Sequence, residues 1–394
     1  MRRIGTRVFG LRTPIIRKGD DLIGIVLDVL DDVQTNEGVR LNDNDVIGVT
    51  EAILARAQGN YATVDQIASD VRAHFPSGTV GVVFPILSRN RFAMLLKGIA
   101  RGAENIAVQL SYPADEVGNA LISHEQLEAA GLNPWRDVLT EERFRDLFGQ
   151  SVPHRFTGID YIAYYRSLGG NIEVFLANDP CAILEKTRNV IVADIHTRRA
   201  TQKRLRAAGA EKVLALDELL TGPVNGSGYN EQYGLLGSNK ASEELVKLFP
   251  RACGDFVAGL SKAIRDRTGK RVEVMVYGDG GFRDPVGGIW ELADPVISPA
   301  YTPGLAGTPN ELKLKYIADN EFGHLSAEDQ RTAVVEAIRS KGEQSLVGQM
   351  GAEGTTPRQL TDLLGSLCDL TSGSGDKGTP VVLVQGYFDN YALD

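Results

Sequence analysis

Four carboxylates, Asp279, Asp284, Glu291 and Asp294, fall within sixteen residues in the segment VMVYGDGGFRDPVGGIWELADP, which runs from Val274 to Pro295. An apolar run at 274–277 leads straight into Gly278, Gly280 and Gly281, residues that accept positive φ and let a backbone come close to a ligand. Carboxylate oxygens gathered just past a strand end are the donors a hard cation prefers. The turn therefore points to Mg²⁺ or Mn²⁺ acting on phosphate groups, with these four acids as candidate ligands and the Gly280 backbone as a phosphate contact. The same residues also describe a tight turn whose acids are merely solvated, and other segments must separate the two readings.

Phosphates need donors as well as a cation. Gly19, followed by Asp20 and Asp21 at the start of an amphipathic helix, and Ser238-Asn239-Lys240, read as preceding a second helix, can point backbone N–H groups at an anion, with Lys240 adding charge. Plain helix capping by Ser238 and Asn239 is the structural alternative, and the two roles are compatible. The five histidines are scattered without an HExxH spacing, which argues against zinc. His196 shares one chain face with Asp194 at the end of NVIVADI and reads as an ordinary hydrogen-bonded histidine. The aromatic run FTGIDYIAYYRSL at 156–168 offers a stacking surface with Arg166 beside it, yet its tyrosine spacing serves a packed helix, the role taken here.

These groups matter only if the fold positions them. Asp20 to Val33 places Leu22, Ile23, Val26, Leu27, Leu30 and Val33 at helical spacing behind an acidic start, which predicts a helix beginning at Gly19-Asp20. DVIGVT at 45–50 reads as a buried strand followed by a helix through Ala57 that Gly59 ends. Strands at 80–84 and 105–110 flank the helix RFAMLLKGIARG. NVIVADI, ATQKRLRAAGA and EKVLALDEL form a β-α-β pattern whose first turn, DIHTRRA, has no glycine to admit a pyrophosphate, so it reads as a structural crossover. Ala241 to Arg267 carries two helical patterns interrupted at Pro250, Ser326 caps a further helix, and Thr356-Pro357 opens another. The loop SGSGDKG precedes the strand PVVLV and so lacks the order of a Walker A loop. Alternating helices and strands make this a mixed α/β chain of α+β type.

Composition narrows the function classes. A chain of 394 residues with 43% hydrophobic and 24% charged content buries a large core. A net charge of −9 argues against a nucleic-acid surface. Three isolated cysteines without a CxxC spacing indicate neither a disulfide framework nor a thiolate metal site, and fit a reducing cytoplasm. The basic N-terminus meets no apolar leader, and the run VGVVFPIL is too short to span a membrane.

Four segments taken together carry a family likeness: TPIIRKGDDL at 13–22, DVIGVTEAILARAQGN at 45–60, Ser238-Asn239 after LLG, and TGKRVEVMVYGDGG at 268–281. Their order and spacing resemble the coenzyme F420-0:L-glutamate ligase, or γ-glutamyl ligase, family. The resemblance implies a distinctive α+β fold that is neither a P-loop nor a Rossmann unit, and a homodimer with active sites in grooves between subunits. It implies a ligase that uses GTP or ATP with Mg²⁺ or Mn²⁺, activates an acceptor carboxylate as an acyl phosphate and joins it to the amine of an amino acid such as L-glutamate. On this likeness Pro14, Gly19, Asp20 and Asp21 fall on the opening motif, Ser238 and Asn239 on an internal one, and Asp279 on a metal-binding aspartate.

The departures are specific. A second metal-binding aspartate of the family falls on Leu236, its Ala-Glu-Gly becomes Ala57-Gln58-Gly59, and a frequent lysine falls on Ala52. Asp284, Glu291 or Asp294 would then supply a replacement ligand. The likeness divides the chain into an N-terminal part of the core (1–110), a diverged middle segment (111–232) that would form a different acceptor pocket, and a C-terminal part of the core (233–394). A folate-type pterin acceptor and a catalytically idle nucleotide-binding or regulatory protein are the alternative readings.

Overall fold

The computed structural model of the chain describes residues 3–281, 294–341, 349–352, 358–373, 375–390 and 393. Its architecture is mixed α+β, organised by three sheets. The core sheet has five strands in the order Arg7–Leu11, Val381–Gln385, Val46–Thr50, Glu273–Tyr277, Ala300–Tyr301. Only the central pair, Val46–Thr50 with Glu273–Tyr277, is parallel.

Helices on both faces explain why the central strands read as continuous apolar runs. Ile47, Val49, Val274, Val276, Val381 and Leu383 pack with side chains of the helices Leu22–Asn36 and Cys253–Thr268. Val46, Met275, Tyr277, Val382 and Val384 pack with Leu364 and Cys368 of the helix Leu360–Ser372. The expected elements at 45–59 form as read: Thr50 accepts from the Ala52 N–H to cap Glu51–Gln58, and Gly59 closes that helix at φ 61°. The first long helix starts at Leu22, with Asp21 rather than Gly19-Asp20 as its cap.

A six-stranded sheet fills the middle of the chain, ordered Leu139–Thr140, Ile172–Leu176, Asn105–Leu110, Thr79–Val83, Asn189–Val192, Lys212–Ala215, and only the first strand runs antiparallel. The β-α-β pattern expected near 189–216 is thus one edge of a doubly wound unit, whose order reverses between Thr79–Val83 and Asn189–Val192. This sheet runs across the boundary expected at residue 110. The third sheet joins the other two regions: Asn239–Lys240 pairs with Leu245–Lys247, which pairs with Tyr61–Thr63.

That hairpin corrects the expected helix after Ser238-Asn239-Lys240. The spacing of Leu245, Val246 and Leu248 suits a helix in isolation, but pairing with Tyr61–Thr63 captures the segment as a strand and buries Val246 and Leu248. Only Cys253–Thr268 is helical in the stretch read as two helices. Ser326 caps Ala327–Ser340 as expected, whereas the last helix begins at Leu360, past the expected Thr356-Pro357, which lies outside the described residues. Among the described residues no helix is long and apolar enough to cross a membrane.

Gly48, mid-strand in the core sheet, shows how closely the last helix is seated. A Cβ there would stand 2.6 Å from Cys368 Sγ and 3.2 Å from the Tyr277 ring. Gly48→Ala is expected to lower stability by roughly 1–3 kcal/mol, the usual cost of overpacking. Urea unfolding with an unchanged midpoint would show that this helix is free to shift.

Candidate functional site

The parallel register Thr50↔Tyr277 places Glu51 and the turn 278–281 side by side at the carboxyl ends of the two central strands. The turn is fixed by its own backbone: Gly278 N–H donates to Ile297 O at 2.8 Å, Gly280 N–H to Asp369 Oδ2 at 3.0 Å, and Gly281 N–H to Ser366 Oγ at 3.0 Å. Asp279 N–H donates to Asp294 Oδ2 at 2.8 Å, so the second acid folds back onto the turn that carries the first. Gly278 is required by this fold-back, because a Cβ there would collide with Asp294 Oδ2.

Facing the two aspartates is a residue from the doubly wound unit. Arg91 directs Nη2 to Asp279 Oδ2 at 2.6 Å and Nη1 to Asp294 Oδ1 at 2.7 Å; the three side chains are 15%, 16% and 2% exposed. Burial alone would depress the guanidinium's pKa, but the two carboxylates outweigh it and hold Arg91 more firmly protonated than usual. Arg91 stands at the end of the loop that follows Thr79–Val83, the strand at which the doubly wound order reverses. That loop is tethered at successive residues. Tyr165 Oη donates to Ile86 O at 2.6 Å and accepts from Ser88 N–H at 2.8 Å, Asp115 Oδ2 accepts from Leu87 N–H at 2.7 Å, and Ser88 Oγ accepts from Arg91 N–H at 3.1 Å.

A buried ion pair lies alongside. Lys247 Nζ, brought by the hairpin, donates to Glu51 Oε1 at 2.8 Å and to Oε2 at 3.0 Å. Burial raises the Glu51 pKa, Lys247 opposes the rise, and the Asp294 charge adds to it. Leu236 and Ser238 line a cavity of about 20 Å³ together with Arg91, and Lys240 N–H donates to Asn90 O at 2.6 Å next door.

The structure thus brings Asp279, Asp294 and the Gly280 turn together with the Ser238-Asn239-Lys240 segment. The groups expected to face phosphate have partners within the chain. Gly280 N–H is spent on Asp369, Ser238 Oγ donates to Leu235 O at 2.7 Å, and the Lys240 ammonium pairs with Glu243. Pro14, Gly19, Asp20 and Asp21 precede the first long helix, and Gly19 N–H donates to Ala57 O at 2.8 Å. That carbonyl belongs to the end of Glu51–Gln58 remote from Glu51, roughly 10 Å away by helical rise. Asp284 and Glu291 lie outside the described residues.

Asp279 and Asp294 do not fit a divalent ion seated between them as arranged, because Asp279 Oδ2 and Asp294 Oδ1 are already bonded to Arg91. Among the described residues no group of three or more His, Cys, Asp or Glu side chains is placed to hold a metal. Arg91, Glu51 and Lys247 escaped the sequence reading. The available signal was positional for Glu51, which stands just beyond an apolar strand as Asp279 nearly does, whereas Arg91 lies at the far end of the loop after Thr79–Val83 and had none.

The doubly wound unit keeps its own anion position filled. Glu116 accepts from the N–H groups of Ile195 at 2.7 Å, His196 at 3.1 Å and Thr197 at 2.9 Å, at the start of the helix Arg198–Ala207. Asp194 is buried and accepts from Thr197 and Thr201 hydroxyls, at 2.6 and 2.8 Å. Tyr161 and Tyr165 are buried in the helix Tyr161–Ser167, in keeping with a packing role for the aromatic run, and Arg166 pairs with Glu141.

The sequence profile of the F420-0:gamma-glutamyl ligase family matches residues 10–386. The chain belongs to this family. None of the curated proteins matches it. The profile spans both large sheets, so the middle segment, which has no counterpart among the short motifs, lies inside the matched region.

Asp115, which tethers the Arg91 loop, offers a test by pH. Burial lifts its carboxyl from an ordinary 3.8 to about 6, against the opposing pull of the N–H groups it accepts. Because the folded pKa is the higher one, its contribution to stability is complete below about 3.8 and is lost as pH rises through about 6. The stability difference between wild type and Asp115→Asn is expected to change across that interval and stay flat above it. A pH-independent difference in chemical denaturation would show that Asp115 does not titrate there.

Proposed function

We propose that this γ-glutamyl ligase family member joins an acceptor carboxylate to an amino acid, L-glutamate being the first candidate, at the expense of GTP or ATP. The observation that carries the reading is the cluster of Arg91, Asp279 and Asp294, with Glu51–Lys247 beside it, where the carboxyl ends of two sheets converge. In the first step an acceptor carboxylate oxygen attacks the γ-phosphorus and the nucleoside diphosphate leaves. In the second, the amine nitrogen attacks the acyl carbon, inorganic phosphate leaves and the nitrogen loses a proton.

Each step passes negative charge through a largely dry site. Arg91 is the group placed to stabilise the transferred phosphoryl and the acyl phosphate, and its planar fork is kept in orientation by the two aspartates. Glu51, made more basic by burial, is the group placed to take the proton from the incoming ammonium, with Lys247 holding the carboxylate in position. Mg²⁺ or Mn²⁺ enters this reading as the counter-ion of the triphosphate, and no step is assigned to an ion on the aspartates. The family resemblance also supports a homodimer.

One observation favours a second reading. Leu236, buried beside Arg91, stands where the resemblance places a metal-binding aspartate, which would suit a protein that binds nucleotide without turnover. The distinguishing experiment incubates the protein with GTP or ATP, Mg²⁺, L-glutamate and a panel of carboxylate acceptors, including a deazaflavin and a pterin, with hydroxylamine to trap acyl phosphate. Acceptor-dependent release of nucleoside diphosphate and trapped hydroxamate are expected. Arg91→Ala should reduce turnover by about 10²–10³-fold, the effect of losing a preorganised charge at an oxyanion. Nucleotide binding with no turnover for any acceptor would leave the idle reading in place of the ligase.

A further inference from the structure

We propose that the Arg91 guanidinium is the resident cation of this site, occupying the position between Asp279 and Asp294 that a divalent ion would otherwise take. A divalent ion at this cluster is then one that arrives on the nucleotide.

Three independent features of the chain support this. The first is coordination. Each aspartate gives an oxygen to a different nitrogen of the same guanidinium, at 2.6 and 2.7 Å, so the fork spans the pair as a bridging ion would. The second is the wall behind Arg91. Ile86, Phe92, Leu95, Ile195, Leu235 and Leu236 line the adjoining cavity, while Ser238, the hydroxyl residue there, donates to Leu235 O. A guanidinium is weakly hydrated and accepts apolar neighbours across its faces, so this wall suits the group that stands there. The third is preorganisation. The tethers on Ile86, Leu87 and Ser88, together with the Arg91 N–H bond to Ser88 Oγ, fix the loop so that Arg91 enters the site from a set position.

Charge completes the argument. Among the described residues, Asp279, Asp294 and Arg91 together carry a single net negative charge, and Leu236 contributes none where the resemblance would add another. Glu51 and Lys247 cancel each other. A triphosphate approaching this cluster must bring its own counter-charge, which a nucleotide–Mg²⁺ complex does.

The inference concerns the site of the proposed ligase, yet its test requires no turnover. Full-length protein without nucleotide is titrated with Mn²⁺, and free ion is followed by electron paramagnetic resonance. Wild type and Asp279→Asn are expected to behave alike, with no saturable site. Folded Arg91→Gln should gain one saturable Mn²⁺ site that wild type lacks, since two carboxylates are then left to ligate, and Arg91→Gln/Asp279→Asn should lose it. Arg91→Lys, which keeps a monocation, should stay free of Mn²⁺. A wild-type Mn²⁺ site that disappears in Asp279→Asn overturns the proposal, as does a folded Arg91→Gln that gains no site. If Arg91→Gln fails to fold, the comparison of wild type with Asp279→Asn still decides. Absence of ligase activity leaves every one of these measurements unaffected.

Discussion

The buried fork between Arg91 and the pair Asp279–Asp294 is the interaction on which the rest of the architecture converges. It joins residues 188 and 203 positions apart and ties the reversal point of the doubly wound sheet to the carboxyl end of the core sheet. Desolvating three charges is expensive, and the arrangement is tolerable because Arg91 bonds both carboxylates and Asp294 also accepts from the Asp279 N–H. Removing the guanidinium alone would leave two carboxylates facing each other inside the protein, a loss of about 3–5 kcal/mol. The cluster is thus as much a fastening between the two sheets as it is a polar site.

Its surroundings show the same economy. Gly278 exists so that Asp294 can lie against the turn, and Gly280 and Gly281 lend their amides to the helix Leu360–Ser372. The hairpin that replaces an expected helix delivers Lys247 to Glu51, a contact that no helix starting at Ser238 would place there. Leu236 lines the cavity beside Arg91, at the position where the resemblance expects an aspartate.

What could be read from the sequence was local. The strand entering Gly278-Asp279-Gly280-Gly281, the capped helix Ala327–Ser340 and the Thr50-to-Gly59 unit are encoded by periodicity and by turn residues within a few positions, and they form where expected. Asp279 and Asp294 were found because they share a segment. Arg91, Glu51 and Lys247 were not, because their meaning arises only when distant strand ends are brought together. The strands Thr79–Val83, Asn105–Leu110 and Asn189–Val192 were each legible, but Ile172–Leu176 and the order that makes a doubly wound sheet were not. The segment at 239–247 shows the opposite failure, where a helical spacing yields to a waiting strand partner.

Glu116 gives the middle unit a different character. Its carboxylate, held by three successive amides, is a ligand on a short tether, present at the helix start at an effective concentration of about millimolar or above. Free phosphate, or the phosphate of a cofactor, would have to outcompete a group that never diffuses away. The doubly wound sheet is in this sense already saturated. Its reversal point presents one arginine to the neighbouring sheet, and at the helix start that such sheets ordinarily offer to a dinucleotide the amides are held by the chain's own Glu116.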